Sequence, residues 1–376
     1  MSTLLPLADQ TEGVRQRIQS IVESIRLEYE DMTHSYPWVI GYSGGKDSTV
    51  VLQLVIEVLK SLPPSKRRRP VYVITNDTLV ESPLLSKHVD NVLGQLTTSM
   101  VSLNLPVTAH KCLPSPDKTF WVNLIGRGYP APNRQFRWCT DRLKIAPTSE
   151  FIRQQVASNG HVILVLGVRT SESASRRQSI EKHKVANGNL QPHPTLLGAF
   201  VFSPIVDLST SEVWDVLLQR RPPWGGTHRD LITLYRNAQG GECPLVITKD
   251  DAPSCGSSSS RFGCWTCTVV EKDRSLSGLI DSGFEDLEPL LEFRDWLYET
   301  RNQVEFRQSI RRNGQSGLGP YSFDMRQSIL TKLLEVQSKV GFQLISQDEI
   351  ERIKEIWLAD KVTLSDQLVS IFESDD

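Results

Sequence analysis

The residues most able to do chemistry lie in a Gly-rich turn. Ser43-Gly44-Gly45-Lys46-Asp47-Ser48 follows the apolar run Trp38-Val39-Ile40 and precedes Leu52, Leu54, Val55 and Val58. Two glycines permit close backbone approach and positive φ, so successive N–H groups can form an anion nest. A helix opening beside Ser48 would add the positive end of its dipole. Lys46 supplies a point charge, and Ser43 and Ser48 supply hydroxyl donors. The spacing excludes a γ-phosphate loop of the G-x-x-x-x-G-K-[ST] type. Its first glycine would fall at Ile40, and Asp47 stands where a hydroxyl should meet Mg²⁺. An acid inside the turn suits a loop that holds Mg²⁺ as well as phosphate.

Cysteines form the second chemical group. Of the six, Cys264 and Cys267 make a C-x-x-C, Cys255 lies nine residues earlier, and Cys139 sits upstream in FRWCTDRLKIAP. Disulfides are not expected in a large chain with no secretory signal, so clustered thiols point to metal or redox chemistry. These four can close a tetrathiolate site, either a structural zinc or a [4Fe–4S] cluster. A single C-x-x-C knuckle favours the cluster, since zinc ribbons commonly offer two. Cys112 and Cys243 read as a buried small hydrophobe and a bystander.

These groups need a frame. Residues 12–31 carry Val14, Ile18, Ile21, Val22, Ile25 and Tyr29 on one helical stripe. PWVIGY, PVYVITND (70–77), PVTAHKC (106–112), HVILVLGVR (161–169) and FVFSPIVD (200–207) read as strands, separated by helices such as 48–61 and 81–104. Strands that alternate with helices, each apolar on both faces, predict an α/β fold with a parallel sheet covered by helices on both sides. The turn then lies at the carboxyl end of the first strand, where open α/β sheets bind ligands. Beyond residue 220 the texture turns loop-like and then helical from 283, which divides the chain into an α/β nucleotide domain (1–220) and a cysteine-bearing, helical region (221–376). Ser209 or Thr210 is expected to cap a helix with Glu212 in its first turn.

Composition sets outer limits. With 376 residues, 23% charged, 39% hydrophobic and a net charge of −2, the chain has the balance of an ordinary globular protein. No stretch approaches the roughly 20 apolar residues of a membrane span, and MSTLLPLADQTEG lacks a signal peptide's basic start, so no membrane association and a cytoplasmic location are expected. Basic residues gather at Lys66-Arg67-Arg68-Arg69 and at Arg307, Arg311 and Arg312, by themselves weak evidence for nucleic acid.

The S-G-G-K-D-S turn resembles the signature of the PP-loop ATP pyrophosphatases. That resemblance implies cleavage between the α- and β-phosphates of ATP, with Mg²⁺, and pyrophosphate held in the loop. Lys46, Asp47 and Arg169 are then the catalytic residues. The nucleotide site is Ser43, Gly44, Gly45, Lys46, Asp47, Ser48, Asp77, Gly167 and Arg169. NDTLVESP (76–83) resembles the family's segment near the nucleotide. GVRTSESASRR (167–177) and FSPIVDLSTSEVWDVL (202–217) resemble segments of the phosphoadenylylsulfate reductase subgroup. There Arg169 can contact a phosphate bidentately and Glu172 can orient it, while Arg176 and Arg177 read equally well as a solvated pair.

WCTDRLKIAP resembles the reductases' cluster-binding stretch, which assigns Cys139, Cys255, Cys264 and Cys267 to a [4Fe–4S] cluster with Arg142 and Lys144 beside it. No cysteine follows Cys267 to serve as a reductase nucleophile. Together with GLGPYSFDMRQSIL (317–330), the set is similar to the sulfur-transfer enzymes of bacterial DNA phosphorothioation, the DndC- and SspD-like family. The resemblance implies DNA, a cysteine desulfurase and other phosphorothioation proteins as partners. It leaves open the oligomeric state, a homodimer included. Arg134, Arg137, Arg176, Arg177, Arg220 and Arg221 are expected contacts for the DNA backbone. Transfer RNA thiolation, sulfonucleotide reduction and a non-catalytic, cluster-bearing subunit are the alternatives.

Overall fold

The computed structural model describes residues 7–172, 178, 190–238 and 262–373. Trp38, Val39 and Ile40 are at most 1% exposed and form β1 (Trp38–Gly41), a strand that needs cover on both faces. It pairs in parallel with β2 (Val71–Asn76), Trp38 opposite Val71, and with β4 (Val162–Val165), Trp38 opposite Ile163. β3 (Val107–Cys112) lies outside β2, and β6 (Ala199–Phe202) lies outside β4. β5 (Gln191–Pro192) closes the far edge antiparallel to β6, giving the order β3-β2-β1-β4-β6-β5. Chain order reverses between β1 and β4, which makes their carboxyl ends the topological switch point where such sheets open a crevice.

Helices cover both faces. Trp38, Ile40, Val71, Val73, Ile163 and Val165 pack in one core with α1 (Leu7–Glu30), α2 (Lys46–Ser61) and α3 (Pro83–Ser102). Val39, Ile74 and Leu164 face the other way, onto Ile152 of α4 (Ala146–Asn159). α5 (Thr210–Gln219) and α6 (Arg229–Asn237) join the first core through Val213, Trp214, Leu231 and Tyr235. α5 opens with the expected cap in full: Ser209 Oγ accepts from Glu212 N, and the Glu212 carboxylate accepts from Ser209 N.

Three expectations are corrected. α2 begins at Lys46 rather than 48, because the extended Gly45 is its N-cap and the lysine is already in the first turn. β4 ends at Val165, short of 169, since the chain beyond it must bend against the start of α2. β3 is not apolar on both faces: Thr108, His110 and Lys111 are partly exposed on this edge strand.

A second core gathers Phe120, Trp121, Leu124 and Leu143 with Trp265 and with α7 (Arg274–Asp281), α8 (Glu288–Thr300), α9 (Phe323–Val340) and α10 (Gln347–Glu373). The segment between β3 and α4 therefore packs with the C-terminal helices. It does so through two π-helical turns, Val122–Gly126 and Thr140–Ile145, the second beginning directly after Cys139. No helix among the described residues is long and apolar enough to cross a membrane.

Candidate functional site

The turn after β1 is shaped by glycine at two points. Gly44 has φ +74, and a Cβ there would stand 2.5 Å from Val89 Cγ2 of α3. Gly167, after β4, lies so close to α2 that a Cβ would come within 2.9 Å of the Asp47 carbonyl carbon and oxygen and of Ser48 N. The switch point is thus closed by backbone against backbone. Ser48 Oγ donates to Gly45 O (3.0 Å) and accepts from Ser43 N (3.2 Å), which fixes the turn's curvature.

Above this turn opens a cleft of about 740 Å³, within the usual range for small-ligand sites. Ser43, Gly45, Lys46, Asp47 and Ser48 form one wall, and Leu164, Leu166, Ile152 and Leu196 supply an apolar side. Asp77, Glu81 and Lys144 line the wall opposite the helix start.

Charge at the loop is partly neutralised from within. Arg169 is 1% exposed and donates from Nε to Asp47 Oδ1 (2.6 Å), with Nη1 to Leu208 O, Ser171 Oγ and Thr210 Oγ1. It braces the acid of the loop from beneath; in this arrangement the guanidinium is not offered bidentately to a phosphate. The side chain of Glu172, expected to orient it, lies outside the described residues, and Ser171 and Thr210 hold the guanidinium. Lys46 Nζ stands 3.3 Å from Asp47 Oδ2. Both carboxylate oxygens thus face cations, so Mg²⁺ arriving on nucleotide phosphates would compete with Lys46 for Asp47.

Nothing in the sequence singles out Tyr235 of α6. Its hydroxyl accepts the Lys46 N–H (3.3 Å), and the Lys46 ammonium lies 5.3 Å from its ring centre. Asp77, after β2, accepts from Leu79 N in a turn that puts Leu79 at φ +63, and its other oxygen lies 3.4 Å from Lys111 Nζ.

That turn is where the cysteines meet the cleft. Glu81 Oε1 accepts from Thr78 Oγ1 (3.0 Å), pairs with Lys144 Nζ (3.3 Å) and lies 3.7 Å from Cys264 Sγ. Thr78 Oγ1 is 3.3 Å from the same sulfur, and Trp265 N donates to Val80 O. The Cys267 N–H donates to Cys264 O, closing the C-x-x-C knuckle. Burial, then the Glu81 carboxylate, pushes the Cys264 thiol well up; burial, then Cys267, raises Cys139. Arg142, expected beside a cluster, instead donates to Asn123 Oδ1 and Tyr129 Oη. Cys112 is buried as expected, whereas Cys243, Cys255, Arg176 and Arg177 lie outside the described residues.

The donor set bears on which metal could be held. Tetrahedral zinc with Zn–S bonds near 2.3 Å sets its sulfurs roughly 3.8 Å apart. Among the described residues, the one His/Cys/carboxylate trio with ligand atoms all within 4.8 Å of one another is Glu28, Asp31 and His34. Cys139, Cys264 and Cys267 do not form such a trio. In the Glu28 trio the His34 Nδ1 accepts from Arg69 Nη1, so its Nε2 carries the proton toward the two carboxylates. That group is a hydrogen-bonded clamp between α1 and the loop before β2.

A Gly-rich turn between parallel strand and helix, at the switch point of an α/β sheet, lies where such sheets bind ligands. The model of the phosphoadenosine phosphosulfate reductase domain matches residues 37–270, and the chain belongs to that family. An uncharacterized protein of Methanocaldococcus jannaschii is 26% identical over 214 residues, 57% of this chain, and the chain spans 38% of that relative's length. Phosphoadenylyl-sulfate (PAPS) reductase from Candida auris is 14% identical with a TM-score of 0.35, covering 58% of this chain and 89% of its own. The NH3-dependent NAD synthetase from Campylobacter jejuni is 13% identical with a TM-score of 0.36, covering 77% and 92%.

Proposed function

We propose that this protein is an ATP pyrophosphatase and sulfurtransferase of the DndC- and SspD-like kind, which activates a DNA backbone phosphate and helps replace a non-bridging oxygen with sulfur. The observation that carries the reading is Glu81: one carboxylate lines the nucleotide cleft, pairs with Lys144 and lies beside the Cys264 sulfur. An activated phosphate in the cleft and a sulfur source at the thiols would share that wall.

The chemistry balances as follows. A non-bridging phosphate oxygen attacks the α-phosphorus of ATP, and pyrophosphate leaves toward the nest of Gly44, Gly45 and Lys46. The persulfide sulfur supplied by a cysteine desulfurase then attacks the DNA phosphorus, AMP departs with the original oxygen, and a second thiol cleaves the remaining S–S bond, leaving the phosphorothioate and a disulfide. Lys46 stabilises charge on the departing phosphates, and Arg169 keeps Asp47 in place through the 2.6 Å contact. A [4Fe–4S] cluster bound by Cys139, Cys255, Cys264 and Cys267 would supply thiolate-ligated iron next to this wall.

ATP–pyrophosphate exchange with duplex DNA, transfer RNA or adenylylsulfate tests the reading. DNA-stimulated exchange with AMP as product is expected. Stimulation by transfer RNA alone, or ADP as the product, would sink it. Anaerobically purified protein should be brown; a colourless chain with one zinc would overturn the cluster assignment.

A further inference from the structure

We infer that the DNA backbone lies across one face of the protein, built by Arg134, Arg137, Arg311 and Arg312 around the half-exposed ring of Phe136, and not in the arginine-lined groove along α6. The inference rests on the proposed DNA substrate and assigns the surface that receives it.

Two basic surfaces compete. The groove, about 500 Å³, is lined by Arg220, Arg221, His228, Arg229 and Arg236. Arg220 is already paired with Glu57 (2.6 Å), two and a half turns along α2 from the phosphate turn. His228 contacts Gln53, a residue buried within the same helix. Both contacts are made partway down α2, beyond the phosphate turn at its start.

The other face is fastened to the thiols. Asn133 Oδ1 accepts from Gln135 N (2.9 Å) and Phe136 N (2.8 Å), so the turn that displays Arg134 and Arg137 is held in one shape. Pro132 O accepts from Thr268 Oγ1 (2.6 Å), one residue beyond Cys267, and Trp138 Nε1 donates to Pro130 O. Arg134 and Arg137 are exposed and stand five and two residues before Cys139. Beside them the chain doubles back through the bridges Arg307–Tyr321 and Ile310–Ser316, with exposed Arg311 and Arg312 at its tip. Arg312 is docked there: it donates to Arg127 O (2.6 Å) and stacks 4.8 Å from the Tyr129 ring centre. Tyr129 in turn lies 6.1 Å from Phe136, whose side is 43% exposed.

Guanidinium groups gathered on one exposed face are what a nucleic-acid backbone requires. A duplex on this face passes the thiol segment and the Lys144 wall of the cleft; one in the groove does not. The later arginine cluster, left unassigned by the phosphate chemistry, thereby gains a role.

The test compares Arg134→Glu/Arg137→Glu with Arg221→Glu/Arg229→Glu in the full chain, with melting curves to confirm folding. Fluorescence anisotropy with a labelled duplex is followed across a salt series. The first pair should weaken binding at least about tenfold and flatten the salt slope by roughly two, about one per lost phosphate contact. The second pair should leave affinity and slope unchanged. A loss confined to the groove pair overturns the inference while DNA-stimulated exchange by the unaltered protein still upholds the substrate. Absence of duplex binding by the unaltered protein overturns both. Binding of transfer RNA but not duplex through Arg134 and Arg137 would reject DNA as the occupant. Should the first pair fail to fold, Arg311→Gln with Arg312→Gln reads the same slope.

Discussion

The loop wall of the cleft is assembled from neighbours in sequence, whereas the thiol wall is assembled from segments more than a hundred residues apart. Ser43, Gly45, Ser48 and Thr49 satisfy one another: Ser48 Oγ and Thr49 Oγ1 both donate to Gly45 O, at 3.0 and 2.8 Å. The knuckle has no regular ladder of its own. Buried Arg294 donates from Nε to Cys267 O (2.9 Å) and from Nη1 to Glu271 O (2.7 Å), with Nη2 on Val270 O. Arg301 does likewise for Pro132 O and Thr268 O. Guanidinium forks replace the backbone partners that an irregular segment lacks. The curvature of the loop wall is therefore set locally, with Arg169 bracing only Asp47, whereas the knuckle of the thiol wall relies on guanidinium groups from α8 and its end.

Arg294→Ala is the most direct way to break this contrast. Cys267 O loses its donor, as do Val270 O and Glu271 O on exposed residues, so urea unfolding should show a loss of about 1–2 kcal/mol and the iron of the proposed cluster should be lost. Unchanged stability and metal content would mean that the knuckle is held by something else. Gly167→Ala strikes the loop wall instead. Its methyl group would meet backbone atoms of Asp47 and Ser48 at 2.9 Å, which cannot turn aside. A loss of about 1–3 kcal/mol is expected, with pyrophosphate exchange abolished and iron retained. Loss of iron in that variant would show that the two walls are not independent.

Tyr235→Phe should act more gently. The Lys46 N–H loses its acceptor, the ring beneath the ammonium remains, and the apparent KM for pyrophosphate should shift several-fold, on the order of 1 kcal/mol. A change in kcat alone would place the hydroxyl in the chemical step.

The same contrast explains what the sequence reveals. The sheet, its helices and the turn were legible because strand and helix periods are local and Ser43–Ser48 is contiguous. The roles of Glu81 and Tyr235 were not, since each depends on a partner over a hundred residues away: Cys264 for one and Lys46 for the other. Arg142 and Arg169 were recognised as important cations, but residue type does not reveal direction. One turns to Asn123 and Tyr129, the other down onto Asp47. The π-helical turns of segment 116–145 follow from packing against helices far along the chain.

The smallest expected effect concerns how α6 is seated beside α2, and through Tyr235 it reaches the loop. His228 is 6% exposed; its Nε2 lies 2.6 Å from Gln53 Oε1, while Gln53 Nε2 donates to Glu57. Gln53 thus accepts from a neutral imidazole. Burial first, then His88, pulls the His228 pKa from 6.5 down to about 4. Between those values the unfolded chain binds the proton and the folded one does not, so stability is full above pH 6.5 and declines as pH falls toward 4. Below about 4 both states are protonated and this contribution stops changing. Urea midpoints measured across that window should fall with pH for the native chain. His228→Gln, which can still donate to Gln53, should remove part of the slope while pyrophosphate exchange at neutral pH stays nearly unchanged. An identical slope in the variant would assign the pH dependence to other groups and leave α6 held by its apolar face alone.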